Sequence, residues 1–277
     1  MDKFKLGVIF GGMSTEHSVS IVSGTSVIKN LNKEKYEIYP IYISRDGKWY
    51  EYIRPLEDIE VLQVGDEITE IELIKNPMEY LKKLDVVFPV LHGLYGEDGT
   101  IQGLLELLKI PYVGCKVLSS SVCMDKVYAK IIFEKAGILQ ADFVYIKAHK
   151  NGHNTEFTYI DKNFYERKIS ITEIVEIVEN TVKFPVFVKP SNSGSSVGVH
   201  KAENKEELKK ALLDASKYDT KILLEEQIEG REVECAVLGN EDIKSTCVGE
   251  ILSAEKFYTF DAKYKNSESR VIIPAEI

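Results

Sequence analysis

Apolar positions along residues 1–114 switch between a strand-like run and a helical stripe. Lys5 to Phe10 carries an apolar run closed by Gly11-Gly12, and after Ser14-Thr15-Glu16 the residues Val19, Val22, Ser26, Val27 and Leu31 fall near helical spacing. This pattern predicts a strand, a tight turn and a helix. Tyr36 to Ile43 and Asp85 to Leu91 read as further strands with a weak helix at Met78 to Leu84, and Ile101, Leu104, Leu105 and Leu108 form a helical stripe after Gly99-Thr100. The alternation predicts an open, mostly parallel sheet with helices on both faces, and such sheets collect ligands beyond the carboxyl ends of their strands. Two turns fall at that edge, Gly11 to Glu16 and His92 to Gly99. Residues 44–76 are acidic and irregular, as in a peripheral hairpin or loop.

From about Gly114 the pattern changes. Met124 to Lys135 reads as a helix with Gly137 as its C-cap, and it carries Lys126 in its first turn, where a cation opposes the helix dipole. Residues 144–164 predict strands turning at Asn151-Gly152, residues 170–180 a helix, Glu203 to Ser216 a helix, Ile222 to Ile228 a strand, and Glu232 to Leu238 an alternating strand. An α+β unit with an antiparallel sheet is expected here.

Within that unit, residues 184–199 read FPVFVKPSNSGSSVGV. Val186, Phe187 and Val188 favour a strand that Pro190 ends, while Gly194 and Gly198 free the backbone to turn its N–H groups towards one point. Ser193, Ser195 and Ser196 add hydroxyls and Lys189 adds charge at the strand's end, which suits a phosphate. The loop has no Gly-Lys-Ser/Thr ending and the chain has no G-x-G-x-x-G, so neither the P-loop nor the dinucleotide fingerprint applies. A plain serine-rich surface hairpin fits the loop taken alone.

Length and composition narrow the remaining classes. The 277 residues, 44% hydrophobic, suffice for about two domains with proper cores. A net charge of -9 disfavours nucleic acid as a partner. The start MDKFKLGVIFGG lacks a signal peptide's features and no apolar run approaches the roughly 20 residues that span a bilayer, so a cytoplasmic protein without a membrane partner is expected. Cys115, Cys123, Cys235 and Cys247 lack metal-site spacing and are expected to be reduced, mostly buried thiols.

In order along the chain, GGMSTEHSVS (11–20), LHGLYGEDGTIQG (91–103), PYVGC (111–115), CMDK (123–126), VKPSNSGSSVGV (188–199) and EGREVECAVL (229–238) resemble the D-alanine:D-alanine ligases of the ATP-grasp superfamily. The resemblance covers essentially the whole chain. It implies an N-terminal α/β substrate domain (1–114), a central ATP-grasp domain (115–224) and the start of a C-terminal ATP-grasp domain (225–277). The implied activity is joining two D-alanines through an acyl phosphate for peptidoglycan, using ATP with Mg2+ or Mn2+, in a homodimer. By the same resemblance, Lys126, Lys189 and Lys263 meet the phosphates while Ser195 and Ser196 close over the transferred one. Glu225 receives the adenine amino group, Glu226 and Ile228 continue the same strand and turn, and Glu232 receives the ribose hydroxyls.

The family likeness also gives the first D-alanine its partners. Glu16 receives its ammonium group, although a carboxylate at a helix start is favoured by the dipole in any case, by about 0.3 to 1 kcal/mol. His92 lies near its carboxylate, while Glu97 and Asp98 serve equally well as caps of the next helix. In KFYTFDAKY, Tyr258, Lys263 and Tyr264 match the family's mobile lid, with Tyr264 hydrogen-bonded to Ser195 and Glu16.

One departure from the family pattern follows the lid. The family's arginine and its Asp, Glu and Asn metal ligands lie in segments resembling ARVDFF and LNEINT, and neither occurs in this sequence. The expectation is a last domain left incomplete, no metal ligand in this chain, and little or no turnover by the 277 residues. A fragment and a natural truncation are both compatible with that. A non-catalytic nucleotide- or partner-binding remnant, and a relative using D-serine or D-lactate, are the alternative readings.

Overall fold

The computed structural model describes residues 3–152, 154–252 and 270–277. Tyr258, Lys263 and Tyr264, expected in the lid, lie outside the described residues.

The N-terminal region runs β1 (Phe4–Gly11), α1 (His17–Asn30), β2 (Tyr36–Ile43), β3 (Trp49–Tyr52), β4 (Ile71–Leu73), α2 (Pro77–Leu81), β5 (Val86–Pro89) and α3 (Thr100–Leu108). Its sheet has the order β4-β3-β2-β1-β5, with β2, β1 and β5 parallel and the peripheral 44–76 segment adding β3 and β4 as an antiparallel edge. Alternation along β1 feeds two cores. Leu6, Val8 and Phe10 pack with Ile21 and Ile28 of α1, while Ile9 faces Leu81, Ile101 and Leu105 of α2 and α3. Each such side chain withdrawn from water contributes about 1.5 to 3 kcal/mol, so β1 is held from both faces. At its end Gly11 has φ +90°, and a Cβ there would sit 2.3 Å from the Ile43 carbonyl oxygen. The chain therefore turns sharply out of the sheet towards Glu16.

Two helices, rather than one, follow. The sequence suggests a single helix from Met124, but α4 (Val117–Met124) and α5 (Lys126–Lys135) are separated at Asp125, whose carboxylate accepts the Val127 and Tyr128 N–H groups. Aspartate competes for the helix start, and that preference wins here. The helix α4 is hidden in the sequence because VLSSSVCM has no apolar period and only Ser120 of it is buried.

The central region continues with β6 (Phe143–Asn151), β7 (Asn154–Ile160), β8 (Glu166–Ile169), α6 (Ile171–Thr181), β9 (Val186–Pro190), β10 (His200–Ala202), α7 (Lys205–Ala215) and β11 (Lys221–Glu226). The strands form one antiparallel sheet in the order β10-β9-β11-β6-β7-β8, which carries β11 two residues beyond Leu224. Val144, Ile146, Val186, Val188, Ile222 and Leu224 pack one face against α6 and α7. The alternate residues Phe143, Phe187, Lys189 and Glu225 occupy the opposite face, because successive side chains on a strand point to opposite sides.

The remaining strands are short. β12 (Glu232–Glu234), β13 (Val237–Leu238), β14 (Lys244–Ser245), β15 (Gly249–Leu252) and β16 (Arg270–Ile272) form sheets ordered β12-β15-β16 and β13-β14. The single strand expected over 232–238 is interrupted. Between the pairs Glu234↔Gly249 and Val237↔Ser245, residues 235–236 oppose residues 246–248, a bulge that breaks the ladder.

The cysteines correct another expectation. All four are free, but all are exposed rather than buried. Apolar thiols prefer the interior, yet Cys115 and Cys123 flank or belong to the sparsely covered α4, and Cys235 and Cys247 lie beside strands whose residues are exposed.

Candidate active site

Glu16 stands immediately before α1, is only 5% exposed, and makes no side-chain cap to its own helix. Its carboxylate is used elsewhere. The Ser195 hydroxyl, 179 residues further on, donates to Glu16 Oε1, and a Cβ on Gly194 would come within 2.5 Å of Glu16 Oε2. Ser14 steadies this turn, receiving the Glu16 N–H at 3.1 Å and donating to the His92 carbonyl at 2.7 Å. Behind it, His17 Nδ1 lies 2.5 Å from the Gly12 carbonyl, and burial, together with the nearby Arg45 charge, holds this imidazole below its ordinary pKa despite the bond to Gly12.

His92 borders the same turn. Its Nε2 is 2.9 Å from the Ser23 hydroxyl and its Nδ1 is 3.7 Å from Glu97, so the ring is oriented from two sides. Glu97 and Asp98 close the loop: the Gly93 N–H donates to Glu97, and those of Tyr95 and Thr100 donate to Asp98. Beside Gly12, Met13 and His92 lies a largely apolar cavity of about 150 Å³, walled also by Leu91, Leu94 and Tyr95.

The glycine- and serine-rich loop crosses to this site from the central sheet. Its left-handed residues are Ser195 (φ +46°), Ser196 (φ +61°) and Gly198 (φ +71°). Gly194 is not among them; its missing side chain makes room for Glu16 instead of freeing the backbone. Left-handed serines cost roughly 1 to 2 kcal/mol each, so the loop is held in this shape by its contacts. Those contacts are specific. Asp219 accepts from the Asn192 backbone and amide at 2.8 and 2.9 Å, and the Ser193 hydroxyl donates to the Val197 carbonyl at 3.1 Å.

Lys126 reaches the loop from the first turn of α5, donating to the Ser193 carbonyl and, at 3.4 Å, to the Ser191 carbonyl. Burial and the positive charge of Lys189 hold its ammonium below the ordinary lysine value. The α5 start is locked to β9 by Asp125, which accepts from Ser191 Oγ at 2.6 Å and pairs with Lys221 at 2.5 Å. Lys189 itself donates to Glu225 Oε1, and Lys130 of α5 pairs with Glu225 Oε2 at 3.2 Å. Burial pushes the Glu225 carboxyl up, but the two ammonium groups outweigh it and hold it below the usual range.

The other residues expected near a nucleotide are more dispersed. Glu226 receives the Asp142 N–H at 2.9 Å and so tethers the start of β6, while Ile228 and Glu232 are exposed. Asp125, Lys130, Ser191, Asp219 and Lys221 carry the site's framework and were missed in the sequence. The Asp125-Lys126 dipeptide was the one local signal, since an aspartate before a helical run marks a cap. Among the described residues no group of three or more His, Cys, Asp or Glu is placed to hold a metal ion.

An open α/β unit beside an antiparallel sheet whose glycine- and serine-rich hairpin closes over paired lysines defines the class as ATP-grasp enzymes. Residues 5–115 match the family described as D-ala D-ala ligase N-terminus and residues 132–277 that described as D-ala D-ala ligase C-terminus. The chain is 47% identical over 279 residues to the D-alanine–D-alanine ligase of Clostridium novyi, covering 99% of this chain and 76% of that protein. The enzyme of the same name from Clostridium acetobutylicum is 48% identical with the same coverage. Among solved structures, the VanG D-Ala:D-Ser ligase from Enterococcus faecalis superposes with a TM-score of 0.77 at 36% identity, over 100% of this chain and 78% of that one. The D-alanine–D-alanine ligase from Bacillus anthracis gives 0.66 at 31% identity, over 99% and 72%. The chain belongs to the D-alanine:D-alanine ligase family.

Proposed function

We propose that this protein joins two D-alanines at the expense of ATP. The observation that carries the reading is the contact of Ser195, on the phosphate loop, with Glu16, at the start of α1. It unites a carboxylate suited to an amino acid's ammonium with a loop and two lysines suited to phosphates.

The chemistry requires both halves. A free carboxylate does not accept an amine, since an oxide would have to leave. The first D-alanine's carboxylate attacks the γ-phosphorus of ATP, ADP departs, and an acyl phosphate results. The amine of the second D-alanine then attacks the acyl carbon, phosphate leaves and a proton is released. Lys126 and Lys189 meet the phosphate charge, the Ser195-Ser196 turn covers the transferred group and excludes water, and positioning does most of the work. Charge-assisted hydrogen bonds of this kind are worth about 1.5 to 3 kcal/mol each. Glu225 takes the adenine amino group, Glu232 the ribose hydroxyls, and the Glu226-to-Ile228 turn lines the same face. Glu16 holds the first substrate's ammonium and His92 its carboxylate, with the adjoining apolar cavity suited to a small side chain. Lys263 and Tyr264 belong to the lid in this reading. Magnesium, bound with the nucleotide, would supply neutralisation of phosphate charge.

No helix among the described residues is long and apolar enough to cross a membrane, and we take the site of action to be the cytoplasm, where ATP is available. A homodimer is proposed on the family likeness, with sedimentation as its check. The likeness to an Enterococcus faecalis D-Ala:D-Ser ligase favours D-serine as a second reading for the acceptor. ADP release measured together with mass analysis of the product, with D-alanine, D-serine and D-lactate in competition, separates these. D-alanyl-D-alanine as major product is expected. A dominant mixed product would replace the acceptor, and absence of both ATP binding and D-amino-acid-dependent ADP release would overturn the function.

A further inference from the structure

Glu225 and its two lysines form a cluster that the chemistry above uses only in part. Lys189 stands opposite Leu223 in the β9-β11 register, which makes Glu225 its diagonal neighbour on the same sheet face. Lys130 approaches from α5, on the other side. The three side chains are 14% (Glu225), 24% (Lys189) and 12% (Lys130) exposed, so the cluster is nearly dry. Lys130 is also fixed independently of Glu225: its ammonium lies 3.4 Å from Gln140 Oε1, 3.3 Å from the Ala141 carbonyl and 5.1 Å from the centre of the Phe143 ring. Gln140 returns a hydrogen bond to the Lys130 carbonyl at 2.8 Å.

The two lysines therefore differ in their freedom to leave. A nucleotide triphosphate draws Lys189 towards its phosphates, and a nearly buried carboxylate left without a paired cation is strongly disfavoured. Lys130 is anchored by neutral carbonyls and an aromatic face, none of which competes for a phosphate. We infer that Lys130 is a positioning residue for base recognition: it stays on Glu225 when Lys189 moves to the phosphates, keeping that carboxylate ionised and aimed to accept the adenine amino group. The inference rests on the nucleotide site proposed above. It also supplies a source of base selectivity, because an ionised carboxylate accepts from the amino group of adenine and repels the carbonyl oxygen that guanine presents at the same position.

Calorimetric titration of the protein with a non-hydrolysable ATP analogue and with the matching GTP analogue, for wild type, Lys130→Met, Lys130→Arg and Glu225→Gln, tests it. Lys130→Met should lower the adenine-over-guanine preference at least fivefold and introduce a loss of ATP affinity with rising proton concentration, as Glu225 is left to protonate. Lys130→Arg should restore most of the preference. In the double variant Lys130→Met/Glu225→Gln the two losses should not add. An unchanged ratio in a Lys130→Met protein that melts like wild type, or full additivity in the double variant, overturns the inference while leaving the proposed function standing. Should Lys130→Met not fold, the arginine variant and Glu225→Gln decide: an adenine preference retained by Glu225→Gln also overturns it. Failure of the wild type to bind either nucleotide overturns the proposed site and this inference together.

Discussion

The N-terminal and central regions solve the same problem, placing charge at a defined point, by different means. In the parallel sheet the groups stand beyond strand ends: Glu16 follows β1 and His92 follows β5, each set by a turn and braced by Ser14. In the antiparallel sheet they stand on a face and a hairpin: Lys189 and Glu225 project from β9 and β11, while the loop between β9 and β10 carries the serines. The first arrangement is anionic and rigid, because the core packs both faces of β1. The second is cationic and depends on strained serines and on hydrogen bonds accepted by Asp125 and Asp219. The comparison teaches that the substrate half owes its geometry to the fold, and the phosphate half to a few polar contacts.

That distinction breaks first at Asp125. Replacing it with alanine removes the α5 cap and leaves Lys221 without its carboxylate, which should cost about 3 kcal/mol in urea unfolding at neutral pH. Burial pushes this carboxyl up, but Lys221, Ser191 and the helix N–H groups hold it below the ordinary 3.8. A group with a lowered folded pKa contributes stability above its unfolded value and loses it as pH falls through the folded one. The difference between wild type and Asp125→Ala should therefore be full above pH 3.8 and shrink below it; a difference that is flat with pH would show that the pair is not the source.

Gly194→Ala tests the junction of the two regions. Its Cβ has no room beside Glu16, so the loop must retreat by a fraction of an ångström or more. A misplacement of about 1 Å costs on the order of a hundredfold in rate, so dipeptide formation should fall to that extent with the melting temperature little changed. Wild-type turnover in this variant would mean that the loop and Glu16 need not meet.

Lys189→Ala should weaken ATP binding at least about tenfold by calorimetry, the lower end of a charge-assisted bond. Equal affinity would remove Lys189 from the phosphate site. The smallest effect is expected at Lys201, on the solvent side of β10 and paired with Glu203: Lys201→Ala should leave nucleotide affinity unchanged within error. A comparable loss at both lysines would reduce the site to a general charge effect.

Much of this molecule is legible in its sequence. The strand at Tyr36–Ile43 has the expected limits, the turn at Asn151-Gly152 joins β6 to β7, and Ser170 caps α6 with Glu173 reaching back. These depend on periods and caps within a few residues, which is the range over which local sequence acts. The glycine- and serine-rich loop and the motifs around it likewise mark the family in the sequence itself. Tertiary structure alone decided the rest. It bulged the chain at residues 246–248, interrupting the strand opposite at 235–236, and left the cysteines exposed. It brought Ser195 to Glu16, Lys221 to Asp125, and Lys130 with Lys189 to Glu225. Lysine and glutamate have the same local preferences on a solvent face as in a dry cluster; which they occupy depends on the strand register and on the helix laid across the sheet, at separations that no local pattern encodes.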